Sequence, residues 1–229
     1  MPKPARHPPS KLPSQNVISS GCYVDFEGFA PRKDEKGRSG AKRPPTLIGI
    51  WNMKQKKEFV QVVFNAKYRW AALTSDVQHE VLYKPDRKVF LTALLGSSRK
   101  RKPIFAFSEH ELNVISETIG REPQTIISRY KNVRSIAKRW LRERSSDYSQ
   151  PDTHDLISVA KAVGLNPPVQ FRKGEMTERL RLVGEYSSTK SGWQRAPERI
   201  REAWRELLRY NQSDVMTMHE LMQYMIRNT

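Results

Sequence analysis

Residues 22–29 read Cys-Tyr-Val-Asp-Phe-Glu-Gly-Phe, and the rest of the chain is best interpreted from this stretch. Side chains alternate along an extended strand, so Asp25 and Glu27 share one face and lie about 7 Å apart. Two carboxylates on an otherwise apolar strand are costly to bury unless a cation lies between them. The pattern is therefore typical of two structures: a strand that binds a divalent metal, or an edge strand whose polar face meets water.

The composition indicates one strongly basic domain. The chain has 229 residues, of which 37% are hydrophobic, and this is enough for one full core. Lysine and arginine number 41 against 24 aspartate and glutamate, so the formal net charge is +17. A surplus of this size favours a polyanionic partner, with nucleic acid first and an anionic membrane surface second. No sequence feature indicates a protein partner.

Targeting and redox features favour a reducing compartment. No apolar run reaches transmembrane length, which argues against a membrane-spanning protein. Residues 1–20 lack the hydrophobic segment of a secretory signal. The single cysteine, Cys22, excludes an intramolecular disulfide and a cysteine-based zinc cluster. We therefore expect a cytoplasmic protein.

The order of the expected elements predicts an α/β fold with a mixed sheet. Three strands with short polar links predict an antiparallel meander, over residues 21–28, 46–51 and 59–65. A helix over 86–95 leads into a fourth strand at 103–107, and such a crossover makes the new strand parallel to one already in the sheet. Residues 66–83 predict only a turn and a helix. Helices then fill the C-terminal half, at 109–119, 123–143, 153–163, 175–184 and 197–227.

Two regions differ in composition. Residues 1–18 combine five prolines with basic and small polar side chains, which predicts a disordered arm that cannot bury itself. Residues 19–229 predict a single domain, a mixed sheet covered by helices.

The last expected helix carries an acidic residue beside its apolar stripe. Tyr210 and Asp214 are four residues apart, so both flank the stripe on one side of the helix. Asp214 therefore either pairs with a nearby arginine or joins other acids in a site. The stripe itself recurs at steps of three and four residues and comprises Ile200, Trp204, Leu207, Leu208, Asn211, Val215, Met218, Met222 and Met225.

The candidate site residues lie on three expected elements, which follow one another along the chain. Asp25 and Glu27 lie on the first strand, Glu111 opens the helix after the fourth strand, and Tyr210 precedes Asp214 on the last helix. Together they resemble the DEDD superfamily of 3′–5′ exonucleases, which has a ribonuclease H-like fold, and in particular its tyrosine-containing branch. Within that branch, the sequence resembles the ribonuclease H-like exonuclease domains found with RecB-type nucleases. The resemblance covers roughly residues 20 to 226.

The resemblance implies a two-metal site and a role for each residue. Asp25 would bridge two Mg²⁺ or Mn²⁺ ions, Glu27 would hold one of them, and Asp214 would complete the other. Tyr210 would orient the attacking water. Carboxylate oxygens are the donors that these hard cations prefer, and the five histidines show no paired spacing that would indicate zinc.

Glu111 is the expected fourth acid, with two alternatives. Ser108 is a good N-cap and Glu111 follows three residues later, which also predicts a capping box. Many superfamily members instead use an aspartate in a His-Asn-x-x-x-Asp segment, which this sequence lacks. Glu109 competes for the role. Asp155, which resembles an Asp-Leu segment of this branch, is expected either to support the metal ligands through a hydrogen bond or to be structural.

Basic side chains are expected to bind the phosphates of DNA or RNA without sequence preference. The candidates are Arg99, Lys100, Arg101, Lys102, Arg134, Lys138 and Arg139. Tyr68, Trp70 and Trp193 are candidates for stacking on bases, although each is at least as well explained by packing.

Two other classes of protein fit the same sequence. Residues 108–133 can be interpreted as a helix-turn-helix, with a first helix to Ile119, a turn at Gly120 and a recognition helix ending at Tyr130. The acids would then share no purpose. Alternatively, the ribonuclease H-like fold is retained as a catalytically inactive, basic nucleic-acid-binding scaffold.

Overall fold

The computed structural model describes residues 11–28, 45–52, 58–96, 102–119, 128–144, 155–167 and 175–229. The strands are β1 (Cys22–Glu27), β2 (Leu47–Asn52), β3 (Glu58–Val63), β4 (Glu80–Tyr83), β5 (Ile104–Ala106) and β6 (Tyr130–Asn132). The α-helices are α1 (Gln15–Ser19), α2 (Arg69–Leu73), α3 (Arg87–Gly96), α4 (Glu109–Ile119), α5 (Val133–Arg144), α6 (Leu156–Val163), α7 (Glu175–Ser187), α8 (Lys190–Gln194) and α9 (Glu198–Arg227). A 3₁₀ turn covers Ala66–Tyr68.

Within these residues the strands form one mixed sheet in the order β4-β3-β2-β1-β5-β6. Strand β2 is antiparallel to β1 and β3, whereas β5 runs parallel to β1, β6 to β5 and β4 to β3. The predicted α/β class is thereby confirmed, as are the three-strand meander and the parallel strand that follows it. The arrangement is that of a ribonuclease H-like sheet with helices on both faces.

Alternation along β1 sends its side chains into different cores on the two faces of the sheet. Cys22, Val24 and Phe26 face α3 and α4 in one apolar core. Tyr23 faces the opposite side, where its ring stacks on Phe105 with centroids 4.7 Å apart, in a core completed by α5, α6 and α9. Because Asp25 and Glu27 follow the register of Tyr23, they also face α9.

Helix α9 lies on β1 and β2 and organises this face of the protein. Its 30 residues begin after Pro197, and every position of the predicted stripe is buried. The N-terminal half packs against α2, α7 and α8, where the indole of Trp204 donates a hydrogen bond to Ser75 Oγ at 2.9 Å. The C-terminal half packs against α5 and α6. The middle of the helix is thereby held over the centre of β1.

Two edge strands were not predicted. Strand β4 lies inside residues 66–83, for which only a turn and a helix were expected, and β6 lies inside the helix predicted over 123–143. The helix there begins only at Val133. Tyr130–Asn132 is short and polar, with no alternating pattern, and it becomes a strand through its pairing with β5. Local sequence does not encode such a pairing.

The helix-turn-helix interpretation of residues 108–133 is contradicted at the C-terminal end of its second helix, the part of that helix that the structure describes. Helix α4 matches the expected first helix, and residues 120–127 lie outside the described part of the chain. Tyr130, however, begins strand β6 where the recognition helix should end. Helix α4 instead lies in the connection between β5 and β6, two neighbouring parallel strands of the sheet.

The folded part of the chain begins earlier than residue 19. Residues 15–18 were assigned to the disordered arm, but they lie in α1, whose Ile18 is completely buried. The backbone carbonyl of Ile18 accepts a hydrogen bond from the Tyr23 hydroxyl at 3.3 Å. An apolar Val-Ile pair gives this short helix something to bury, which explains why the proline-rich composition was misleading. Residues 1–10 lie outside the described part.

Candidate metal centre

Strand β1 brings two carboxylates to the centre of the sheet. Asp25 pairs with Gly49 and Glu27 with Leu47 on the neighbouring strand β2, so both acids lie near the C-terminal end of β1. Both side chains are partly buried. The position is central because β1 has strands on both sides, β2 and β5. The edge-strand interpretation of this stretch is therefore wrong.

Helix α9 supplies the third carboxylate. Asp214 lies in the middle of the helix and its side chain is buried. Asp25, Glu27 and Asp214 each offer one carboxylate oxygen, and these oxygens all lie within 4.8 Å of one another. Oxygen ligands lie 2.0–2.6 Å from Mg²⁺ or Ca²⁺, so oxygens at this spacing fit around one ion. The cluster can hold a metal ion.

Burial and mutual repulsion make this cluster a strong proton acceptor. Burial, followed by the charges of Glu27 and Asp214, raises the pKa of Asp25 well above its ordinary value. Burial and the charge of Asp214 raise the pKa of Glu27 from 4.5 to about 8. A divalent cation would replace the protons and remove the repulsion.

Tyr210 lies one helical turn before Asp214 and shares its face of α9. Burial, the charge of Asp214 and the hydrogen bond between these two side chains raise the pKa of the Tyr210 phenol far above its ordinary value. The phenol therefore stays neutral and keeps its proton as a hydrogen-bond donor. Tyr210 lies close to the acid cluster, as predicted, because the charges of Glu27 and Asp25 also contribute to this pKa shift.

Glu111 forms the predicted capping box. Its Oε2 accepts hydrogen bonds from the backbone N–H of Ser108 at 3.0 Å and from the Ser108 hydroxyl at 2.9 Å. The side chain is buried, and that burial raises its pKa. Glu111 lies outside the three-carboxylate group, yet its charge raises the pKa of both Asp25 and Glu27. It is therefore a near neighbour of the cluster.

The two alternatives for the fourth acid are both exposed. Glu109 occupies the first turn of α4. Asp155 caps helix α6, where its side chain accepts a hydrogen bond from the backbone N–H of Ser158 at 2.8 Å. Of the two roles expected for Asp155, the structure shows the structural one, as a helix cap.

The predicted phosphate-binding residues are only partly described. Arg99, Lys100 and Arg101 lie outside the described residues, whereas Lys102, Arg134, Lys138 and Arg139 are partly exposed. Arg139 forms an ion pair with Glu143 at 2.6 Å, within α5.

The aromatic candidates divide into core and surface residues. Tyr68 and Trp193 are buried core residues, which excludes stacking on bases. Trp70 is partly exposed, with the cations of Arg69 and Lys190 at 5.2 and 5.9 Å from its ring. Trp70 therefore stays a candidate for base stacking.

Asn211 is the residue of this centre that sequence reasoning missed. It was placed in the buried stripe but given no role, although an amide among Leu, Val and Met side chains needs a partner. Its Nδ2 donates a hydrogen bond to Asp25 Oδ2 at 2.8 Å. The signal was present in the polarity of this one stripe position, but the partner was not deducible.

The sheet and the acid cluster define a ribonuclease H-like α/β protein with three converging carboxylates able to hold a metal ion. Comparisons with protein-family models, with curated proteins and with solved structures found no significant match. Among the described helices, none has the length and apolar character needed to cross a membrane.

Proposed function

We propose that the protein is a metal-dependent nuclease that hydrolyses phosphodiester bonds, acting as a 3′–5′ exonuclease on DNA or RNA. The strongest support is the convergence of Asp25, Glu27 and Asp214 from opposite ends of the chain. Three buried or partly buried acids without a cation repel one another, so their convergence has a cost that metal binding offsets.

The donor set suits Mg²⁺ or Mn²⁺, because every ligand offered is a carboxylate oxygen. When bound, two such ions supply an activated water and relieve charge on the leaving oxygen. Asp25, Glu27 and Asp214 would hold the metal through their carboxylate oxygens. Tyr210, as a neutral donor beside Asp214, would orient the attacking water.

Nucleic acid is the substrate class that the charge favours. The formal net charge of +17 attracts a polyanion at long range. Lys102 and Arg134 flank the β5–α4 unit, and Lys138 and Arg139 follow on α5. Their contacts with phosphates would hold a strand without reading its sequence.

The test is a comparison of the parent protein with Asp25→Asn on single-stranded DNA and RNA labelled at the 3′ or the 5′ end. Mn²⁺ is titrated in, and an EDTA arm removes it. We expect shortening from the 3′ end that depends on Mn²⁺ and is absent in Asp25→Asn. The matched control is Asp155→Asn, the same chemical change at an exposed helix cap, which should retain full activity.

Each other outcome of this assay would reject the proposal. Tight binding of both polymers by the parent without metal-dependent cleavage would favour the inactive scaffold. Cleavage that persists in Asp25→Asn would place the active site elsewhere or reveal a contaminating nuclease. Binding at several salt concentrations is needed, because affinity for phosphates falls steeply with salt.

A second prediction concerns the fourth acid. Glu111→Gln keeps an acceptor for Ser108, so the capping box survives, but the negative charge is lost. We expect hydrolysis to fall at least about tenfold, the usual cost of altering a group that supports a metal ligand. The midpoint of thermal unfolding should change little.

Ser108→Ala is the matched control for Glu111→Gln. It removes the hydroxyl half of the capping box and should lower stability by about 1 kcal/mol while leaving the charge in place. If Ser108→Ala slows hydrolysis as much as Glu111→Gln does, Glu111 acts through helix capping and is not the fourth acid.

A further inference from the structure

A buried pair of amides connects strand β3 to the metal centre. Gln61 on β3 and Asn211 on α9 are both completely buried. Gln61 Nε2 donates hydrogen bonds to Asn211 Oδ1 at 2.8 Å and to the backbone carbonyl of Leu208 at 3.0 Å. Asn211 Nδ2 in turn donates to Asp25 Oδ2 at 2.8 Å.

The direction of these hydrogen bonds is fixed by one backbone carbonyl. The Leu208 oxygen can only accept, so the Gln61 atom that faces it must be the amide nitrogen. The same nitrogen meets Asn211, which must therefore present its oxygen to Gln61 and its NH₂ group to Asp25. This series of hydrogen bonds therefore presents an amide N–H donor, and not an acceptor, to the Asp25 carboxylate.

Strand β2 leaves space for this arrangement at one glycine. Gly49 pairs with Asp25 across the two strands. A Cβ atom on Gly49 would lie 2.9 Å from Asn211 Cγ and closer still to its Oδ1, too near for any real contact. Any larger residue would displace the amide that contacts Asp25.

At its other end, this series of hydrogen bonds reaches His79, which lines a pocket. Gln61 Oε1 lies 2.5 Å from His79 Nε2, and because Gln61 presents an oxygen there, the imidazole must donate. His79 is half-buried and helps to line a pocket of about 760 Å³ between β3, β4 and α9. The imidazole packs edge to face against the ring of Phe59, with the ring centroids 4.8 Å apart. Gln61 is therefore held at both ends.

We propose that Asn211, oriented by Gln61 and admitted by Gly49, is a positioning residue that fixes the Asp25 carboxylate for metal binding. The inference rests on the proposed use of a metal at the cluster. The terminal torsion of an aspartate is broad, so a free carboxylate samples many orientations. A donor fixed on Oδ2 holds the plane of the group and leaves Oδ1 available to bind a cation. Hydrogen-bond partners of metal ligands typically contribute 10–100-fold to metal affinity.

The experiment measures Mn²⁺ affinity, with Mn²⁺ alone as the probe and no nucleic acid present. Electron paramagnetic resonance of free Mn²⁺ gives the dissociation constant for the full chain. Asn211→Leu and Gln61→Met should each weaken binding about tenfold or more, and Gly49→Ala should shift it in the same direction. Gln61 donates to Leu208 and Asn211 rather than to a carboxylate of the cluster, so its effect must pass through Asn211.

A control separates positioning from a general loss of stability. Met225→Ala empties a completely buried site on the same helix, far from the cluster, and should lower stability by about 2–5 kcal/mol without changing Mn²⁺ affinity. Unchanged Mn²⁺ binding in folded Gln61→Met would overturn the inference, and this variant decides alone if Asn211→Leu does not fold. A parent that binds Mn²⁺ but cleaves nothing rejects the nuclease proposal and leaves the positioning role intact. A parent that does not bind Mn²⁺ rejects both.

Discussion

Asp214→Asn is expected to reduce metal-dependent hydrolysis about a thousandfold, which corresponds to about 4 kcal/mol of transition-state stabilisation. The amide is nearly the same size as the carboxylate and still offers an oxygen to Tyr210, so the fold around α9 should be kept. What is lost is one of the three negative charges that the cluster presents to a cation. Initial rates at saturating Mn²⁺ measure the effect.

The same substitution should stabilise the metal-free protein. Among the neighbouring charges, Asp214 has the largest effect on the pKa of Glu27 and the second largest on that of Asp25. Removing its charge therefore relieves repulsion in a buried site. Thermal unfolding in EDTA should therefore occur at a higher temperature in Asp214→Asn than in the parent. Opposite signs for activity and stability are typical of a residue whose unfavourable placement serves a function.

Glu220→Gln is the control for this pair of measurements, because it makes the same change on an exposed position of α9. It should alter neither the rate nor the unfolding temperature in EDTA. A destabilised Asp214→Asn protein would mean that Asp214 is held by favourable partners. Its convergence with Asp25 and Glu27 would then give no support to a metal site.

The central part of the fold was predictable because its signals are local. The alternation of acids and apolar residues in β1 defines two faces, and the steps of three and four in α9 define a buried stripe. The relation between them followed only from the resemblance, since nothing in either segment specifies the other. Strand β6 was missed because three polar residues acquire strand structure from a distant partner, Ile104–Ala106.

The residues that support the site were less predictable than the acids themselves. Gln61 lies in a strand whose pattern is apolar, and its partners in α9 are distant in sequence. Gly49 carries no turn signal, because it is required by the close approach of Asn211 rather than by a backbone angle. Glu111 shows the converse problem: one spacing from Ser108 predicts a capping box, and the same residue also fits an acid site.

The pH dependence of stability gives the second large effect. Because the pKa of Glu27 rises from 4.5 in the unfolded chain to about 8 in the fold, the folded protein retains a proton that the unfolded chain has lost. Stability must then fall as pH increases through this range, by about 1.4 kcal/mol per pH unit for each retained proton. Asp25, whose pKa is also raised, adds to the same slope.

His79 sets the lowest pH at which the slope of stability against pH reports mainly on the acid cluster. Its pKa lies below the ordinary 6.5 because of burial, so at lower pH its contribution to the slope has the opposite sign. Above pH 6.5 the imidazole is more than half neutral in the unfolded chain and more so in the fold, so its opposing contribution is small and fades as the pH rises. Urea unfolding in EDTA should show a loss of about 2 kcal/mol between pH 6.5 and 8 in the parent.

Metal should reverse this loss, since a cation binds the deprotonated cluster of the folded state. At a Mg²⁺ concentration of about 100 times its dissociation constant, binding restores about 2.7 kcal/mol at pH 8 and much less at pH 6.5, where protons compete. Asp214→Asn should flatten the slope in EDTA and reduce the response to Mg²⁺. A parent whose stability is the same at both pH values in EDTA would show that the acids are ionised without a cation, and the physical case for a metal centre would fail.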